Sequence, residues 1–278
     1  MAVTFKQMPR SPRAAQALRY AIVLFALASL ARPVTAAKPP SNTVRPSSVL
    51  RLAALGVDGR PAGRGSALDA LAAEVRLRTS VETGRRAVDV GLSDDSLFAY
   101  PLLFWSAGNQ RLRHNEAQIG RLREHLNNGG ILWIDDPSPS GPSAETDAVV
   151  RELMRRLFGR PMVRVAANDV IFRSFYRLGA PVGRRADVKA LEGIRVGRRW
   201  AVLYSRDDLL GAFARASTGG PALPVVPGNE PQREQAIRLG INLVMYAVCL
   251  DYKDDHNHVE ALLRKRRGRG QSDPSDGR

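Results

Sequence analysis

Two pairs of aspartates stand where chemistry is expected. Asp135-Asp136 directly follow the apolar run Ile131-Leu132-Trp133-Ile134, and Asp207-Asp208 come soon after Tyr204, past Ser205 and Arg206. Each pair closes a segment that reads as a strand. If the two strands lie side by side, four carboxylates converge, and hard oxygen donors of that kind hold Mg²⁺ or Ca²⁺. The same residue type is a favoured helix N-cap, where it accepts hydrogen bonds from N–H groups that the first turn leaves without partners. Asp208 before Leu209-Leu210 also fits that position. A third strand-like run, Pro101 to Trp105, ends in Ser106-Ala107-Gly108, a turn whose backbone N–H groups can face an anion.

The candidate cleft is therefore Ser106, Gly108, Asp135, Asp136, Tyr204, Ser205, Asp207 and Asp208, with the four aspartates as candidate metal ligands. No catalytic residue and no cofactor is assigned. The chain has no Gly-x-Ser-x-Gly elbow, no Walker loop and no Gly-x-Gly-x-x-Gly turn. His256 and His258, near Asp251, Asp254 and Asp255, suit Zn²⁺ or Ni²⁺ by ligand type, and equally suit a solvated helix exit. Cys249 sits in an apolar stretch and reads as a buried structural thiol. One cysteine also excludes an internal disulfide and a Cys-rich zinc module.

Strands and helices alternate around these positions. Residues 49–55, 87–90, 101–105 and 131–134 read as strands, and 66–78, 115–127 and 145–158 as helices with apolar positions three or four apart. Asn127-Asn128-Gly129-Gly130 stops the second of these helices. Leu191–Val196 and Arg199–Tyr204 flank Gly197-Arg198 as a hairpin that adds an antiparallel edge. A short helix is expected within 206–213, and a last, buried helix from about Gln232 to Leu250. Residues 161–181 read as irregular. The pattern predicts a three-layer α/β domain, its mostly parallel sheet flanked by helices, with ligands at the C-terminal strand ends.

The 278 residues carry 42 Lys+Arg against 27 Asp+Glu, a net charge of +15, and 44% hydrophobic residues, which excludes a mostly disordered chain. Lys6, Arg10, Arg13 and Arg19 precede an apolar run over residues 20–31, and Val34-Thr35-Ala36 follows. This is the layout of a secretory signal. The run is shorter than the roughly 20 residues that span a bilayer. Cleavage after Ala36 removes five basic residues and leaves a charge of +10. The expected organisation is a signal peptide over 1–36, a linker over 37–47, an α/β domain over 48–258 and a basic disordered tail over 259–278. That tail holds Arg264-Lys265-Arg266-Arg267, a cluster able to meet anionic lipid or nucleic acid. An exported protein does not meet chromosomal DNA, so no nucleic-acid partner is expected.

Several blocks occur in an order that resembles the bacterial family called domain of unknown function 4159. They are Phe98–Phe104, Leu122–Asp136, Ile171–Tyr176, Leu191–Ile194, Ala201–Asp208 and Leu239–Ala247. The resemblance implies an exported or membrane-associated protein with a flavodoxin-type sheet similar to class I glutamine amidotransferases. It implies no activity. In relatives an Asp-His pair is expected just before the Ile-Phe block, where this chain has Asn168-Asp169. The amidotransferase-like parent would place a nucleophilic cysteine where this chain has Asp135.

Two functions follow as expectations. The first is a non-catalytic binding or scaffold domain of the periplasm or cell envelope, with other envelope proteins as partners and membrane contact only through an uncleaved signal or the basic tail. The second is a carboxylate- or metal-dependent hydrolase using the acidic cleft. Export is testable directly. Amino-terminal sequencing of the protein from the envelope fraction should start near Ala37; an intact Met1 or Ala2 in the soluble cytoplasm would remove the signal.

Overall fold

A computed structural model describes residues 49–56, 64–108 and 115–269, with side chains described as far as Leu250. The signal, the linker, His114 and the side chains of the 251–258 cluster lie outside the described residues. Seven strands form one sheet: β1 (Ala53–Leu55), β2 (Val88–Val90), β3 (Leu102–Ser106), β4 (Ile131–Asp135), β5 (Val163–Arg164), β6 (Leu191–Val196) and β7 (Arg199–Ser205). Their order is β2-β1-β3-β4-β7-β6-β5. The first five in that order are parallel, while β6 runs antiparallel to both β7 and β5.

The helices are α1 (Gly65–Arg78), α2 (Glu116–Asn127), α3 (Ala144–Phe158), α4 (Leu209–Phe213) and α5 (Asn229–Arg269). β3 and β4 are buried on both faces, as their continuous apolar runs require. Alternate residues feed two cores. Phe104, Trp133 and Leu203 face α1, α4 and α5, whereas Leu103, Leu132 and Tyr204 face α2 and α3. This is the three-layer α/β architecture expected, with the sheet between two helical layers.

Helix ends obey local chemistry. Asn115 caps α2 by accepting from the Gln118 N–H at 2.9 Å, and the Gln118 side-chain oxygen in turn accepts from the Asn115 N–H. Ser143 caps α3, which ends at Gly159 in the left-handed region. Asn242 is the polar exception on the apolar α5. Its carbonyl accepts from the Phe175 and Tyr176 N–H groups, and its amide donates to the Ile171 and Tyr176 carbonyls. The irregular stretch is thereby fastened to the helix with every amide valence used.

Four expectations need correction. The stretch from residue 161 contains an edge strand, β5, whose two exposed residues give no alternation to read. The hairpin does not simply add an edge, because β7 inserts beside β4 in the parallel part and only β6 and β5 lie outside it. The last helix does not stop at Leu250 but continues through Arg269, which takes in residues 259–269 of the expected tail. Cys249 is exposed, not buried, on a face of the helix turned away from the core that Val248 and Leu250 still pack against. No described helix is long and apolar enough to cross a membrane.

His125, in the last turn of α2, is 3% exposed, and a Cβ on Gly130 would lie 2.1 Å from its Nε2. Burial, reinforced by the nearby Arg199 guanidinium, pushes its pKa down to about 4. The folded state thus favours the neutral ring. Between that value and the unfolded value near 6.5 the unfolded chain binds more protons, so stability is complete above pH ~6.5 and falls as pH drops toward 4. We expect a loss on the order of 2–4 kcal/mol across that window from this group. Urea melts of His125→Gln should show a flatter slope there than the wild type.

Candidate functional site

β4 and β7 are adjacent and parallel, with Asp135 opposite Ser205. Both aspartate pairs therefore arrive at the same edge of the sheet, and all four are buried. Their oxygens face backbone donors. Asp135 accepts from the Leu209 and Leu210 N–H groups, each at 2.8 Å, so it serves the first turn of α4 from the neighbouring strand. Asp208 accepts from the Gly211 N–H at 3.0 Å and caps the same helix from within. Asp207 accepts three bonds, from the N–H groups of Asp187, Val188 and Lys189. Asp136 accepts from the N–H groups of Ser138 and Ser143 and from the Ser138 hydroxyl, closing the loop that leads into α3.

Guanidinium groups complete the cluster. Arg184 Nε lies 2.5 Å from Asp208, and Arg64, at the start of α1, lies 3.1 Å from the other oxygen of the same carboxylate. Arg184 also donates to the Pro139 carbonyl. Gln232 in α5 donates to the carbonyls of Gly183, Arg184 and Val226. Two glycines make the packing possible. A Cβ on Gly211 would sit 2.2 Å from the Asp208 carboxylate, and one on Gly183 2.1 Å from the Asp207 carbonyl oxygen. Both positions need a residue without a side chain.

The electrostatics follow from burial. Desolvation, then the Asp208 charge, raises the Asp135 pKa well above the usual carboxylate range, against the two N–H bonds that lower it. Desolvation likewise raises Asp207 despite its three donors. Tyr204, beneath them on β7, is raised by burial and by the nearby Asp136 and Asp147 carboxylates. Its hydroxyl has no hydrogen-bond partner among the described residues.

The structure thus brings Asp135, Asp136, Asp207, Asp208, Tyr204 and Ser205 together at one edge. Ser106 joins them through β3, where it pairs with Asp135, and Gly108 continues that strand end. Among the described residues no group of three or more His, Cys, Asp or Glu is placed to hold a metal ion. The carboxylate oxygens point at N–H donors, bonds that a cation bound there would have to displace.

Arg184, Arg64 and Gln232 belong to the cluster and were not singled out from sequence. Gly211, three residues after Asp208, was a legible sign of a tight N-cap. The expected Asn168-Asp169 departure also has a local role. Asp169 caps a 3-10 turn through the Ile171 N–H and accepts from Trp200 Nε1 at 3.0 Å, while Arg195 stacks 3.9 Å over the Trp200 ring.

The family described as Domain of unknown function (DUF4159) matches residues 51–248, which spans the sheet and both helical layers. The chain belongs to this family. No curated protein matches it. In this DUF4159 domain the acidic strand ends lie inside the matched region, and the N-terminal apolar run and the basic cluster lie outside it.

Removing one carboxylate orphans buried donors. Asp135→Ala should cost about 2–5 kcal/mol, because two buried N–H groups lose their acceptor. Asp135→Asn should cost less, since it keeps one acceptor and removes a buried charge. Chemical denaturation of both variants orders them; equal stability of Asp135→Ala and the wild type would contradict the capping geometry.

Proposed function

We propose that this DUF4159 domain is an exported cell-envelope protein that works as a binding or scaffold element and not as a catalyst. The observation that carries the reading is the engagement of Asp135, Asp136, Asp207 and Asp208 by backbone N–H groups. A catalytic carboxylate must be free to exchange a proton with substrate or to hold a metal-bound water. Each of these instead fixes a loop or a helix start. The N-terminal charge and apolar pattern supports export.

The reading is tested with the purified protein and free Mg²⁺ or Ca²⁺. Its melting temperature should not change on adding millimolar metal, and Asp135→Asn with Asp207→Asn should leave that indifference intact. A site half-saturated at a hundredth of the metal concentration would instead add about 2.7 kcal/mol of stability. A rise of that size, lost in the double variant, would overturn the scaffold reading in favour of the metal-dependent hydrolase.

A further inference from the structure

We infer that the edge of the sheet opposite the aspartates is a docking surface for an anionic phospholipid bilayer. Chain direction puts several features there. The parallel strands begin at this edge, so the polypeptide enters the domain here at Val49–Leu50, beside Thr83. α5 leaves by the same side: the Tyr246 hydroxyl accepts from the N–H of Trp200, the second residue of β7, and the helix then runs on through Arg269. At about 1.5 Å per residue that continuation extends some 28 Å beyond Leu250. Its sequence includes Arg264-Lys265-Arg266-Arg267.

Three of the described arginines at this edge are held by carbonyl oxygens. Arg76 donates to the Thr83 and Gly84 carbonyls, Arg123 to those of Arg156 and Leu157, and Arg160 to that of Arg195. Arg198 is exposed at the hairpin tip between β6 and β7. A carbonyl orients a guanidinium without cancelling its charge, so these groups remain net cations. Carboxylates do neutralise Arg78, Arg155 and Arg156, and Glu82 and Glu124 stand against the remaining cations. A surface cleft of about 250 Å³ beside the end of α3 is lined by Arg160, by the carboxylate-paired Arg151 and Arg155, and by Met154 and Met162. Phosphate on a glycerol headgroup matches the Arg160 guanidinium beside this apolar carbon. Seated this way, the domain directs its aspartate-bound loops away from the membrane.

The inference rests on the envelope location proposed above, but vesicle binding is measured in vitro and amino-terminal sequencing is not, so the two fail separately. The purified full chain is sedimented with phosphatidylcholine vesicles, with and without 30% phosphatidylglycerol. It should bind the anionic vesicles and be released by 0.5 M NaCl. Arg160→Gln with Arg198→Gln should weaken binding roughly fivefold per guanidinium removed. Neutralising residues 264–267 should weaken it further, while Lys189→Gln at the opposite edge should not. Because Arg198 is exposed, Arg198→Gln alone should melt as the wild type does and still bind less. Equal sedimentation of the arginine variants and the wild type would overturn the surface. So would equal binding to neutral vesicles, or displacement by duplex DNA at matched phosphate, which would mark a nucleic-acid site instead.

Discussion

Five parallel strands force the connecting helices to start at one edge of the sheet and end at the other, and the rest of the structure answers that constraint. Helix starts concentrate N–H groups without partners, and helix ends concentrate carbonyls. At the strand C-terminal edge the orphan N–H groups are buried, so something must accept from them. Asp135 does this across strands, binding the first turn of α4 from the end of β4. Asp208 does it from within the helix, and Asp207 gathers the loop at 187–189. Arg64 and Arg184 then stabilise the Asp208 charge.

The other edge shows the complementary chemistry. Arg123 reaches the last carbonyls of α3, and Arg199 reaches the Leu126 carbonyl of α2 and that of Gly130. A cation near a helix C-terminus is favoured by the same dipole that favours a carboxylate at the N-terminus. Carboxylates at the helix starts of one edge and guanidinium groups at the helix ends of the other thus match the topology, with Arg64 and Arg184 added at the acidic edge. The crowded acidic edge thus closes helix starts and loops.

Much of this was legible in the residues. The apolar runs at 102–105 and 131–134 announced central strands, and Gly197-Arg198 announced the hairpin, because burial and turn chemistry act locally. The acidic edge was also readable, since both pairs follow strands. What those carboxylates do there was not readable, because their partners lie far away in sequence: Asp135 and Leu209 are 74 positions apart, and Asp207 and Asp187 are 20 apart. β5 was hidden for a different reason. A two-residue edge strand with both side chains exposed has no hydrophobic period. The reach of α5 beyond Leu250 was missed because a charged segment without apolar spacing does not signal a helix that simply continues.

The place of β7 has a consequence for how the molecule assembles. β4 is apolar on both faces, yet one of its two neighbours is contributed by residues 199–205, from the last third of the chain. Until that segment is made and folded back past β5 and β6, β4 presents an open hydrogen-bonding edge and the α4 cap does not exist. Pairings of this sequence separation close late and slowly. The late-made segment 199–205 therefore completes both the sheet beside β4 and the first turn of α4 in one step.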